Sequence, residues 1–434
     1  MKRILVAIFI SILTSLYIFP FNTVWLPFVN TKMALAALGL VLFFWKSFES
    51  RDAQLSLPMF NLSISALIVS LVGLVAVFYN NTTDYAYASY FVSMWVWLGG
   101  AYALVRVINL AYGKVTVRIV GNFFITVAVV QCFLAQIINA NQLVSNWVDS
   151  FMVSTGFMGK VEDRLYGIGC ALDVAGMKFC AVLILIAFFS VCSIPKKRQG
   201  LARILYISAF FIVSIWGSMI SRTTSIGIIL AIFLWVVLWI KYSNGTLEYT
   251  NLMKVIKTFT IFILVFSPII VYLYYTDDIF QQNLRFGFEG FFSLLEEGEW
   301  DVKSNRQMVS MIVWPDNFKT WLIGDGYFEN PMNDPNYLGP LYNYYMGTDV
   351  GYCRFVFYFG LLGLLAFSAF FVVSAFICSK NNPKYSIVFW LFLLMNFMAW
   401  IKVSSDLFSV FALFLFITSK SETSEFQQYK VKES

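Results

Sequence analysis

Apolar residues run along this chain in long, nearly unbroken blocks separated by short polar stretches, with neither the two-residue period of strands nor the one-sided period of a surface helix. A helix crossing a hydrocarbon layer about 30 Å thick needs about 20 mainly apolar residues. On that basis spans are expected near 4–20, 32–45, 59–79, 88–111, 115–138, 170–194, 201–219, 224–241, 255–275, 351–378, 385–400 and 407–418. The predicted fold class is all-α, a polytopic membrane helical bundle of about 12 transmembrane helices forming one integral membrane domain over 1–434. The first run starts with Met1-Lys2-Arg3, lacks a small-residue cleavage site and ends at Phe19-Pro20-Phe21, so an uncleaved helix is expected rather than a removed signal.

Two polar segments are too long for simple turns, 139–169 and 276–350, and loops of this length in a bundle are usually functional. The second holds twelve acids against four bases and reads as a folded, partly helical cap between spans 9 and 10. The polar tail 421–434 is expected to be disordered.

Charge sets the orientation. Lys and Arg in short loops stay cytoplasmic, and placing both termini inside puts 19 of the 30 basic residues there and 18 of the 24 acids outside. The net charge of +6 is therefore topology rather than a nucleic-acid footprint. Hydrophobic residues make up 59% of the chain and charged ones 12%, with a mean hydropathy of +0.74, which fits only an integral membrane protein in a lipid bilayer. Histidine is absent, which excludes a catalytic histidine, a histidine-held metal or haem, and a histidine pH switch. The six cysteines include no CxxC pair, so neither a metal site nor a cofactor is expected. Cys170 and Cys353 fall near the same predicted surface, which leaves a disulfide geometrically open.

Charges beside spans carry the candidate chemistry, because burying one in hydrocarbon costs several kcal/mol unless it is paired or wet. Arg164, Arg222, Arg306 and Arg354 all sit on the outer side, whereas Arg106 lies near the inner end of span 4 and reads as snorkelling to headgroups. Arginine grips phosphate oxygens bidentately, so several at one surface would suit a lipid pyrophosphate. Structural pairing competes with that role, for Arg164 through Asp163 or Asp173. The short turn holding Arg222 contains no acid. Asp349 precedes span 10 either as a helix N-cap or as a general base. The cap also carries Trp300, Trp314, Trp321, Tyr327, Phe328, Tyr337, Tyr342, Tyr344 and Tyr345, which suit an interfacial belt or sugar stacking. Asn80-Asn81-Thr82 matches a glycosylation sequon.

From span 5 to span 12 these residues resemble the bacterial O-antigen ligases and Wzy-type O-antigen polymerases, particularly the polysaccharide polymerase members. Arg164-Leu165-Tyr166-Gly167-Ile168-Gly169 resembles that family's arginine-and-glycine stretch before a span, and Ser221-Arg222-Thr223-Thr224 its short serine-arginine turn. Arg306 followed by Gly324-Asp325-Gly326 resembles the start of its cap segment, and Asp349, Tyr352, Gly360 and Gly363 fall at the spacing of its histidine, aromatic residue and two glycines. Asp349 stands where the family places histidine, a departure that favours polymerase over ligase.

The resemblance implies a GT-C-like glycosyltransferase of lipopolysaccharide or capsule synthesis, at the outer face of the bacterial inner membrane. Its donor would be an oligosaccharide on undecaprenyl pyrophosphate, its acceptor the terminal sugar of a second lipid-linked unit, and a chain-length regulator would be a natural partner. Arg222, Arg306 and Asp349 would carry catalysis, and Arg164, Arg354, Asp173 and Tyr352 would bind substrate. The alternatives are a flippase or exporter of lipid-linked oligosaccharide, which would spread polar residues along a central path, and an O-antigen ligase.

Overall fold

The structure is a computed structural model that describes residues 2–50, 56–153, 164–194, 198–242, 246–331 and 344–418. Helices account for 78% of it. In chain order they are α1 (Lys2–Ile18), α2 (Thr31–Ser50), α3 (Leu57–Asn80), α4 (Tyr90–Tyr112), α5 (Val117–Ala140), α6 (Gln142–Phe151), α7 (Leu172–Cys192), α8 (Gln199–Ile220), α9 (Thr224–Lys241), α10 (Leu247–Thr276), α11 (Asp278–Gly287), α12 (Glu289–Glu296), α13 (Lys303–Ser310), α14 (Phe318–Ile323), α15 (Gly351–Asn381), α16 (Ser386–Ala399) and α17 (Phe408–Leu415). A two-stranded antiparallel ribbon, β1 (Asn22–Thr23) with β2 (Leu26–Asn30), is a small departure from an all-α chain.

Eight of these helices, α3, α4, α5, α7, α8, α9, α10 and α15, are long and apolar enough to cross a membrane, with shorter apolar helices at Arg3–Ile18, Thr31–Trp45 and Pro383–Ala399. The protein is thus a multi-pass, mostly helical membrane protein. The segment near 407–418 differs from the span expected there. Its helix, α17, has eight residues and rises about 12 Å, less than half a hydrocarbon core.

Local chemistry explains the helix starts. Thr116 accepts a hydrogen bond from Ile119 N, Asn141 from Leu143 N and Val144 N, Thr246 from Tyr249 N, and Asp277 from Ile279 N and Phe280 N. Each uses a short side-chain oxygen to satisfy an orphan backbone donor.

Two compact units emerge: residues 1–35, 103–300 and 416–434 form unit one, and 36–102 with 301–415 form unit two. The division falls inside the 276–350 segment. In unit one, α7 is the central helix, buried along almost its whole length and packed by α5, α8, α9 and α10. By contrast α10 turns most of its apolar side chains outward, as a lipid-facing helix does.

In unit two, α15 packs against α3, α14, α16 and α17. It is not continuous: Gly360 has φ 66° and ψ −170°, which splits it into 351–359 and 361–381. The freed carbonyls are satisfied from outside the helix, because Asp325 N donates to Phe357 O (2.6 Å) and Gly326 N to Tyr358 O (3.0 Å). Backbone broken inside a span survives only where such partners exist. A Cβ at Gly360 would lie 2.2 Å from Leu322 O, and one at Gly324 would lie 2.4 Å from Tyr358 O, so both positions need glycine.

Candidate functional site

Unit one holds Arg164 and Arg222, and unit two holds Arg306 and Arg354. In unit one, Ser221 closes α8 and Thr224 opens α9, leaving Arg222 at the turn. Asp173, in the first turn of α7, fixes that turn by accepting from Ser221 Oγ (2.9 Å) and Thr223 Oγ1 (2.5 Å). Arg222 Nε donates to Phe286 O (2.8 Å), its Cζ lies 4.1 Å from the Phe286 ring centroid, and its Nη2 stands 2.7 Å from Glu289 Oε2. Arg164 converges on the same ring, with Cζ 4.8 Å from the centroid. The backbone beside it is tied to the end of α8 by Leu165 N donating to Met219 O (3.3 Å). Arg164 Nε is buried without a hydrogen-bond partner among the described residues.

Two guanidiniums thus pack on one aromatic ring, and Glu289 faces Arg222. Cation–π contact gives each about 0.5–2 kcal/mol and uses the flat of the guanidinium, while the edge of Arg222 meets Phe286 O and Glu289. Such an edge can accept a phosphate oxygen where a carboxylate now stands. Arg285, next to Phe286 in the chain, is engaged elsewhere: it forks onto Glu296 at 2.7 and 2.6 Å and reaches Tyr274 Oη at 3.0 Å. Hydrogen bonding to Arg285 holds the Glu296 carboxyl below the ordinary carboxylate range, and the same bonds push the Arg285 guanidinium up.

In unit two, Arg354 occupies the first turn of α15 with only 6% of its side chain exposed. Nη2 donates to Glu329 Oε1 (2.8 Å) and Phe328 O (3.0 Å), and Nη1 to Ser404 Oγ (2.9 Å) and Asp349 Oδ1 (3.4 Å). Its Cζ lies 3.7 Å from the Phe328 ring and 4.8 Å from that of Tyr344. The loop bearing Phe328 and Glu329 is itself held, since both backbone amides donate to Asp84 Oδ2 (2.7 and 3.0 Å). Tyr87 packs against Phe328 and donates to Ser404 O (3.3 Å); burial pushes its phenol well above its ordinary value, so it remains a donor.

Asp349 does not cap α15. The residue at the N-cap is Val350, with no side-chain cap bond, while Thr348 Oγ1 accepts from Val350 N (3.2 Å). The Asp349 carboxylate faces Arg354 instead. Arg306 stands apart on α13, 71% exposed and paired with Asp301 at 3.0 Å. Tyr352 Oη donates to Phe397 O (3.1 Å) and its ring packs on Trp400. Asp325, within the Gly324-Asp325-Gly326 segment, accepts from Lys319 Nζ (2.7 Å), Thr320 Oγ1 (2.6 Å) and Tyr345 Oη (3.1 Å), which makes that segment the plug of the α15 break. Asn80 Nδ2, the sequon amide, donates to Ala76 O (2.7 Å) and Gly324 O (3.2 Å), and is therefore part of this scaffold. Cys170 and Cys353 are each buried free thiols. Glu162, Asp163, Tyr337 and Tyr342 lie outside the described residues.

Sequence reasoning missed Phe286, Glu289, Glu329 and Ser404, and it read Phe328 as a cap aromatic rather than as a partner of Arg354. The acids were visible only as members of a charged loop, and no spacing ties Glu289 to an arginine 67 positions earlier. Among the described residues no cluster of His, Cys, Asp or Glu suits a metal ion. No protein-family model matches this chain, and neither a curated protein nor a solved structure is significantly similar to it.

Proposed function

We propose that this chain is a polysaccharide repeat-unit polymerase, a glycosyltransferase of the O-antigen polymerase and ligase type working at the outer face of the bacterial inner membrane with both termini cytoplasmic. The eight long helices, the three shorter apolar ones and α17 would supply the twelve apolar segments of a GT-C-like bundle. An acceptor sugar hydroxyl attacks the anomeric carbon of the donor glycan. Asp349 takes the hydroxyl proton, the new C–O bond forms, and the bond to undecaprenyl pyrophosphate breaks with its electron pair going to the leaving group. Arg222 and Arg164 meet the charge that develops on pyrophosphate, with the exposed Arg306 as a further contact. Arg354 positions Asp349.

The observation that supports this best is the convergence of Arg164 and Arg222 on the Phe286 ring with one carboxylate facing Arg222. An anionic ligand can replace Glu289 there without leaving a guanidinium unpaired. In a deletion strain complemented with Arg222→Ala, the surface glycan ladder on a gel should collapse to core bearing a single repeat unit, the result of a loss of about 10²-fold or more in transfer rate. A full ladder with Arg222→Ala and with Arg164→Ala would sink the proposal, and loss of every unit would move it to a flippase or ligase.

A further inference from the structure

Near the start of α8 in unit one, Arg203 in the second turn is 8% exposed, and its Nε and Nη2 are sealed from solvent without a hydrogen-bond partner among the described residues. A guanidinium stays charged at any relevant pH, so burial without a counter-charge costs several kcal/mol. Among the described residues the ion pairs of unit one, Arg222 with Glu289 and Arg285 with Glu296, do not include Arg203.

A second arginine lies at the same level. Helices α5 and α8 run parallel, as Tyr206 Oη donates to Asn122 Oδ1 (2.9 Å) near their starts and Trp216 Nε1 to Gln136 Oε1 (3.2 Å) further along. Arg203 precedes Tyr206 by three residues and Arg118 precedes Asn122 by four, so both stand about one helical turn outward from that contact. Arg118 is half-buried, and among the described residues its one hydrogen bond is long, Nη1 to Ser193 O at 3.5 Å. Two arginines at one depth, where membrane-spanning helices begin, form a fork for an oxyanion.

We propose that Arg203, through Nη1, the terminal nitrogen that is not sealed, and Arg118 bind the phosphate of an anionic phospholipid headgroup from the leaflet that this end of α5 and α8 faces. The lipid source follows from place. Both residues sit within the first two turns of spanning helices, where a phospholipid phosphate would stand at the level of the guanidiniums and its acyl chains can lie on the exposed Ile204 and Leu205 beside Arg203. The site takes no part in glycan transfer, so it stands independently of the proposed activity.

The test uses the full chain purified in detergent. Thermal unfolding is followed with added phosphatidylglycerol, phosphatidylcholine or inorganic phosphate, and retained lipid is counted by native mass spectrometry. Phosphatidylglycerol should raise the midpoint of the wild-type protein, phosphatidylcholine should not, and the lipid affinity should fall about tenfold in Arg203→Gln and in Arg118→Gln. Arg118→Gln serves as the second variant because Arg118 lies nearer the surface. Equal responses of wild type and both variants, or equal responses to the two lipids, would overturn the site. A full response to millimolar inorganic phosphate alone would overturn the lipid source.

Discussion

Arg222 and Arg354 carry the same guanidinium into opposite settings. Arg354 is enclosed by two carboxylates, a hydroxyl, a carbonyl and two aromatic rings, so both of its terminal nitrogens are occupied. Arg222 stacks on a ring that it shares with Arg164, and one partly exposed carboxylate faces it. Enclosure turns an arginine into a fastener, whereas a shared ring beside a partly exposed carboxylate leaves it able to exchange that carboxylate for another anion. The first should dominate stability and the second ligand binding.

The largest effect should come from Arg354→Met. Removing the guanidinium takes hydrogen bonds from Glu329, Phe328 O, Ser404 and Asp349; water reaches the two carboxylates, 62% and 34% exposed, so the expected cost is about 2–4 kcal/mol. Thermal unfolding in detergent should show a fall of several degrees, accompanied by faster proteolysis of the loop carrying Phe328. Arg222→Ala should cost less, about 1–2 kcal/mol, because it loses one ring contact and fewer hydrogen bonds. If the two variants melt alike, the division between fastener and exchangeable site is wrong.

A smaller effect should follow Glu289→Gln. The amide keeps the shape but no longer competes for Arg222, so the apparent KM for a lipid-pyrophosphate donor should fall several-fold with stability almost unchanged. A rise in KM would show that Glu289 orients Arg222 for the ligand rather than occupying its place.

How far the chain could be read before its structure follows from the range of each interaction. Span positions were legible because a run of apolar residues is a local property, and the helices at 57–80, 90–112, 117–140 and 172–192 lie where the runs predict them. The break at Gly360 was hidden in an apolar run, since its cause is the approach of Leu322 and the amides of Asp325 and Gly326. Thr348-Asp349 before a helix suggested a capping aspartate, yet the helix starts two residues on and the carboxylate turns to Arg354. The turn at Arg222 contains no acid, as its sequence says, but the chain returns Glu289 to it from α12. Charged residues are nameable from sequence; their partners belong to tertiary structure.

The smallest effect separates both sites from an ordinary surface pair. Arg285 and Glu296 make a bidentate contact in the open, on the helices that carry Phe286 and Glu289. The Glu296 carboxyl lies below its ordinary value when folded, so whatever stability the pair adds is present above the unfolded carboxylate pKa and is lost as pH falls through the folded one. The difference in unfolding midpoint between wild type and Glu296→Gln should therefore be small at pH 7 and vanish in the acid range below the ordinary carboxylate pKa. Raising salt at pH 7 should shrink it too, because exposed charges are screened. A difference that ignores both pH and salt would mean that Glu296 acts through packing on α12, and the contrast with the enclosed Arg354 would then rest on burial alone.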